Sequence, residues 1–299
     1  MTVIQNTSRP ARLRRNDPET DTTDHSVHSV TVYRVLSLVI LIVLAILFIF
    51  PLYWIITGSF KTQQAVNARI PVWFPVEPTI NNYTRLFAKP AFRWLLNTVL
   101  ICGASMGLTC IAASMGGYAL AKKRFPGRVF LFSLFICAMA LPKQVILIPL
   151  LKEMAFLRIH NTLWAVILPT VGWPFGVFLM KQFSEGVPNE MLEAARIDGA
   201  GETRTFVNII LPMIKPGIGA LAIFTFITAW NDYFLQLIML SSTQKLSISL
   251  GVATLQSEMS TDFGLIMAGA ALGSIPIIII FLLFQKFFTR GITMGAVKG

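Results

Sequence analysis

Val35 to Ile56, Trp94 to Ala121 and Phe263 to Gln285 each run for more than twenty residues without a charged side chain. Each is long enough for the roughly 20 helical residues that cross a bilayer core of about 30 Å. A backbone in lipid must satisfy its own N–H and C=O groups, so such runs are read as transmembrane helices. Charged residues make up only 13% of the chain, against about 25% in soluble domains, so most of it belongs in lipid. Three further runs are interrupted. Val129 to Leu151 is broken by Pro142 and Lys143, Leu163 to Met180 holds Pro169 and Pro174, and Pro216 to Leu240 holds Asp232. Proline is tolerated in membrane helices because neighbours or water satisfy the freed carbonyls. The expected fold is all-α: a polytopic membrane protein with six transmembrane helices, at about residues 35–57, 94–121, 129–151, 162–181, 216–240 and 263–286.

The net charge of +11 invites a nucleic-acid reading, and the positions of the charges argue against it. Arg9, Arg12, Arg14, Arg15 and Arg34 precede the first span, and Lys122, Lys123, Arg124 and Arg128 follow the second. Lys181, Arg196, Arg204 and Lys215 belong to the fourth loop, and Lys286, Arg290 and Lys298 to the carboxyl end. If the spans alternate, these sixteen of the 25 Lys and Arg share one side. The positive-inside rule makes that side cytoplasmic, with both termini on it. Residues 1–30 are polar and read as a disordered cytoplasmic tail. A cleaved signal peptide is not expected, because the first apolar run starts late, is long and lacks a small-residue cleavage site. Residues 31–299 then form the transmembrane domain.

Chemistry-bearing residues are sparse. Cys102, Cys110 and Cys137 lie within spans and read as small apolar residues. His25, His28 and His160 are scattered without acidic or Cys companions, so no metal site is expected. Gly103 with Gly107, and Gly269 with Gly273, form Gly-x-x-x-Gly pairs that allow close helix approach, either inside the subunit or at a subunit face. No Gly-Lys dipeptide occurs, so the chain lacks the Gly-Lys-Ser/Thr of a phosphate-cradling P-loop.

The polar insert between the fourth and fifth runs, residues 182–215, is the strongest functional signal. Pro188 suits the start of a helix, and Asn189 to Ile197 reads as a short amphipathic one. Glu190 and Glu193 favour the positive end of its dipole. Asp198-Gly199 is a turn signal, with Gly199 supplying a left-handed backbone or a close approach. A second helix is expected from about Glu202 to Leu211, ended or kinked by Pro212. Small side chains at Ala194 and Ala195 let a helix sit deep in a partner's groove. An interfacial lipid anchor would be rich in Lys and Arg, whereas this helix carries Glu190, Glu193 and Asp198 against Arg196 alone.

The insert reads Glu193-Ala194-Ala195, three residues, Gly199, nine residues, then Ile209-Ile210-Leu211-Pro212. This resembles the EAA motif of the membrane subunits of binding-protein-dependent ABC importers. Gly172-Trp173-Pro174-Phe175, Phe183 and the closing Gly295-Ala296-Val297-Lys298-Gly299 resemble the maltose-type, carbohydrate-importing branch. The resemblance implies that the loop is a cytoplasmic helix–turn–helix coupling device docked on a separate ATPase. Glu193, Ala194, Ala195, Asp198, Gly199, Ile209, Leu211 and Pro212 are its coupling residues. It further implies a second, different permease chain, two ATPase subunits carrying ATP-Mg, an extracytoplasmic solute-binding protein and a carbohydrate substrate. The site implied is a bacterial or archaeal inner membrane, and the chain itself is expected to be neither an enzyme nor a binder of any cofactor.

Asp232 is an ionisable group inside a run, expensive in lipid and expected to face a cavity or a partner. Counting about 1.5 Å per residue from Pro216 puts it about 24 Å into a core of about 30 Å. Trp230, Asn231, Asp232 and Tyr233 together offer the aromatic faces, amide and carboxylate that bind sugars. They form either a substrate path or hydrogen-bonding glue between helices. Lys143 reads as a snorkelling lysine or as a part of the path. The alternatives to an importer subunit are a self-sufficient ion-coupled secondary transporter, which would show internal repeats, and a membrane-embedded enzyme, for which Asp232 is too isolated.

Overall fold

The computed structural model describes residues 23–258 and 262–296, with side chains over 33–256 and 262–285. The described residues form helices and no strand. In chain order these are α1 (Thr23–Ser59), α2 (Gln63–Val66), α3 (Asn81–Phe87), α4 (Ala91–Lys122), α5 (Arg128–Met139), α6 (Lys143–Phe156), α7 (Trp164–Val171) and α8 (Phe175–Glu185). There follow α9 (Asn189–Ile197), α10 (Glu202–Thr205), a π turn (Phe206–Ile210), α11 (Leu211–Met213), α12 (Lys215–Asn231) and α13 (Tyr233–Met239). A 3₁₀ turn (Thr243–Lys245), α14 (Ile248–Glu258) and α15 (Phe263–Ala296) complete the order. The basic residues before Tyr33 and the side chains of the Gly295–Gly299 ending lie outside the described residues, and the backbone of α1 already begins at Thr23.

The chain divides into two compact units, residues 1–53 and 54–299. In the first, α1 is apolar on every side from Val35 to Pro51, and apart from the half-buried Ser37 these side chains are exposed, as lipid-facing ones are. Among the described residues, four helices are long and apolar enough to cross a membrane: Tyr33–Ser59 of α1, α4, the Trp164–Glu185 run and Phe263–Gln285 of α15. The number rises to as many as six if each of two bent pairs is one span.

The bends follow from local sequence. α5 and α6 meet at 108° across Ala140 to Pro142. Proline disfavours helical geometry in the residue before it, here Leu141. With 12 and 14 residues, the two are about 18 and 21 Å long, so neither alone crosses a core of about 30 Å. Pro212 has no N–H to donate, and the ladder before it widens to a π turn in which Leu211 N–H reaches Phe206 O. Pro212 sits inside α11 and does not end it. The sharp turn comes two residues later at Ile214, where the segment bends by 75° into α12.

A second break divides the expected fifth run. α12 stops at Asn231, and Asp232 (φ −79°, ψ 68°) caps α13 by accepting Leu235 N–H at 3.4 Å. In an unbroken helix Ala229 O would take the N–H of Tyr233. Instead the fully buried Gln236 reaches back and donates its amide to Ala229 O at 2.8 Å. That bond explains a polar side chain in an apolar helix, since an unpaired buried carbonyl is costly.

In the second unit, α4 is the central post. A Cβ at Gly117 would lie 2.6 Å from Lys181 N, so α4 and α8 touch backbone to backbone. At the other end of α4, Trp94 donates to Thr243 O (2.7 Å), Asn97 to Gln244 O and Leu246 O (3.0 and 2.9 Å), and Thr98 Oγ1 accepts Ile248 N–H (2.8 Å). These side chains satisfy the irregular backbone before α14. The two glycine pairs behave differently. Gly269 and Gly273 lie against Val252 and Ile248 of α14, which is packing inside the subunit. Added carbons at Gly103 and Gly107 would meet nothing within 4 Å among the described residues.

Candidate functional site: a clamped loop and a charged cavity

The segment from α9 to α11 is held by the ends of three longer helices. Lys122, the last residue of α4, donates its ammonium to Val187 O (2.6 Å) and Asn189 Oδ1 (2.9 Å), tying the start of α9 to the end of α8. Tyr118, one turn back on α4, donates to Glu202 Oε2 at 3.3 Å, and its ring packs 5.3 Å from that of Phe206. Lys123 pairs with the same Glu202. Burial disfavours the Lys123 ammonium, but its hydrogen bonds to Glu202 and Tyr118 outweigh that and raise its pKa above the ordinary lysine value. The Lys123 hydrogen bond holds the Glu202 carboxyl below its usual range. Beneath these bonds lies an apolar cluster of Ala113, Tyr118, Met180, Val187, Leu192, Ile210, Ile214 and Leu221. The basic run after α4, which sequence reading uses only for orientation, is also the clamp of the loop.

The turn after α9 is a Schellman motif. Gly199 has φ +71°, its N–H bonds Arg196 O at 3.0 Å, and Ala200 N–H bonds Ala195 O at 2.9 Å. Gly199 is therefore required for backbone conformation, while a Cβ there would point into open space. In this chain Glu193, Ala194, Asp198 and Gly199 are exposed, and so is Ile197. Ala195 is buried with Leu192 against the subunit itself and is not on the presented face. Ile209 and Leu211 are half-buried, Pro212 is exposed, and Ile210 between them is fully buried.

The second candidate is a cavity of about 560 Å³ between α6, α7, α12 and α13. Its polar lining includes Lys143, Gln144, Thr170, Thr228, Asn231, Asp232 and Tyr233, and Trp173 supplies an aromatic face. The break at Asp232 is what lets Asn231, Asp232 and Tyr233 share one cavity, which a continuous helix turning about 100° per residue would prevent. Trp230 is not part of this lining: it is buried and stacked on Phe226 at 5.7 Å. Lys143 Nζ lies 3.6 Å from Asp232 Oδ2 and 4.6 Å from the centre of the Trp173 ring. Sequence reasoning noted both charges without pairing them. The available signal was two opposite charges, each alone within an apolar run.

A helical bundle with broken membrane helices, a polar cavity at one break and a clamped polar loop defines a class, the multi-helix membrane permease. The chain belongs to the family of binding-protein-dependent transport system inner membrane components, which it matches over residues 109–294, a stretch holding both the loop and the cavity. It is 34% identical over 255 residues to the arabinooligosaccharides transport system permease protein AraQ of Halalkalibacterium halodurans, covering 84% of this chain and 91% of that one. It is 30% identical over 254 residues to the diacetylchitobiose uptake system permease protein DasC of Streptomyces coelicolor, covering 84% and 92%. The fold is that of a chain in the crystal structure of a bacterial ABC transporter involved in the import of the acidic polysaccharide alginate, with a TM-score of 0.75 and 22% identity, covering 91% of this chain and 100% of that one. The chain is thus a membrane permease subunit and not an enzyme.

Proposed function

We propose that this chain is one permease subunit of an ATP-driven importer that carries an oligosaccharide across the inner membrane into the cytoplasm. The observation that carries the reading is the Glu193-to-Pro212 loop. Its exposed Glu193, Ala194, Asp198 and Gly199 project from a segment clamped to α4, α8 and α12. A partner ATPase gripping that face moves the ends of those helices, because Leu192, Ile210 and Ile214 are packed into them. ATP-Mg binds to the partner, and this chain holds no cofactor of its own. Alternating access is then a shift between two arrangements biased by nucleotide on the ATPase.

The cavity at Asp232 is read as part of the sugar path. Its volume falls in the range of small-ligand sites, roughly 300–1,000 Å³. Its Asn231, Thr228, Tyr233 and Trp173 offer hydrogen bonds and an aromatic face. The carbohydrate class is supported by the oligosaccharide systems named for AraQ and DasC. The assembly comprises this chain, a second permease, two ATPase subunits and an extracytoplasmic binding protein, with both termini of this chain in the cytoplasm. A pull-down of the tagged chain in mild detergent with mass spectrometry tests this. An ATPase and a second permease are expected, and a clean, stable single chain favours an ion-coupled carrier instead.

A further inference from the structure

We propose that Asp232 sets the charge preference of the cavity. It neutralises Lys143, so the site accepts uncharged glycans and rejects uronates. The inference rests on the cavity's being part of the sugar path.

Lys143 is the first residue of α6 and lies at the positive end of that 14-residue helix. A cation there is unfavourable, and an anion is favoured in its place. The structure compensates twice, with the Asp232 carboxylate at 3.6 Å and the face of Trp173 at 4.6 Å. Asp232 is more enclosed than Lys143, with side-chain exposures of 18% and 33%. The carboxylate thus occupies the place beside the ammonium that the carboxylate of an acidic sugar would take. With that place filled, the lining has no net charge, and a uronate entering it meets Asp232 without a free counter-ion. The rest of the polar lining, Gln144, Thr170, Thr228, Asn231 and Tyr233, is neutral.

Asp232→Asn isolates the charge. Asparagine caps helices as well as aspartate does, so the break before α13 is kept while Lys143 loses its counter-ion. The test uses the full complex with its binding protein in ATP-loaded proteoliposomes. Uptake of the delivered sugar is measured against digalacturonate or neutral galactobiose present on both sides, each variant normalised to its own uninhibited uptake. In Asp232→Asn, digalacturonate should inhibit at a concentration about tenfold lower or more, the scale of one charge-assisted hydrogen bond. Galactobiose inhibition should shift less than about twofold, and Lys143→Gln added to Asp232→Asn should abolish the gain. The reciprocal Lys143→Gln alone should become more sensitive to the cationic disaccharide of glucosamine, and this arm decides if Asp232→Asn does not assemble. Unchanged digalacturonate sensitivity in an assembled Asp232→Asn complex overturns the charge-selection inference. The path reading has its own control in Thr228→Trp, which fills the cavity. Undiminished uptake by an assembled Thr228→Trp complex refutes the path and the inference together, whereas its loss with an unaltered Asp232→Asn profile refutes the inference alone.

Discussion

Replacing Gly199 with aspartate should uncouple transport while leaving the subunit folded. Gly199 holds φ +71° in the turn that closes α9. A left-handed residue other than glycine costs roughly 1–2 kcal/mol, and aspartate lies toward the lower end because its short polar side chain tolerates that conformation. No packing penalty adds to this, since the new Cβ meets nothing within 4 Å. A loss of about 1 kcal/mol is small against the 5–15 kcal/mol typical of folded proteins. A docked ATPase changes the balance, because an unpaired carboxylate pressed into a protein groove costs about 1–3 kcal/mol or more. At 1.4 kcal/mol per decade that is roughly a ten- to hundredfold loss of productive docking. Gly199→Ala carries only the backbone term and should be milder. The assay compares assembly by size-exclusion chromatography, ATPase stimulation by loaded binding protein, and uptake. The expected order of uptake is wild type, Gly199→Ala, Gly199→Asp, with equal amounts of chain in the membrane. Full coupled uptake by an assembled Gly199→Asp complex would refute the reasoning.

Leu192→Ala empties a buried position under α9, at a cost of about 2–5 kcal/mol; it should lower binding-protein-stimulated ATPase more than basal ATPase in the purified complex. Gly117→Val places a carbon against the backbone of α8 and should cost about 1–3 kcal/mol, read as a fall of several degrees in thermal unfolding in detergent, whereas Gly107→Val should leave the isolated chain's transition in place. The Glu202–Lys123 pair predicts a pH dependence of loop protection in hydrogen exchange. Because the Glu202 carboxyl is held low, its contribution is present above the ordinary glutamate pKa and lost as pH falls through its depressed value. Because Lys123 is raised, its part is present below the ordinary lysine pKa and lost as pH rises through its elevated one. The pair is largely exposed on the Glu202 side, so Glu202→Gln should cost only about 0.2–1 kcal/mol and flatten the acid limb. Trp173→Ala removes the aromatic face against Lys143 and should lower uptake without lowering assembly.

Local signals carried much of the fold, and long-range ones little. Uninterrupted apolar runs such as Trp94–Ala121 announce themselves, because lipid imposes one length and one composition. The turn at Asp198-Gly199 was equally legible, since few residues other than glycine tolerate its backbone. Proline position marked the bends near Pro142 and Pro212 but not their size. Whether α5 and α6 count as one span depends on the 108° between them, which no residue alone determines. The cavity was half-visible. Asp232 stood out as a charge in an apolar run, but the break that turns it toward Lys143 depends on Gln236 rescuing Ala229 O. Lys143 itself sits 89 positions earlier in the chain, and periodicity carries no information over that distance. Ala195 illustrates the converse: its small size suits a docking face, yet the packing of Leu192 turns it inward.

The most direct test of the central claim is uptake of a labelled oligosaccharide into proteoliposomes holding the purified complex, with ATP enclosed and no ion gradient. The account predicts uptake that requires ATP and the loaded binding protein, and that falls in Gly199→Asp. Uptake by this chain alone, driven by a proton or sodium gradient and indifferent to ATP, would contradict it.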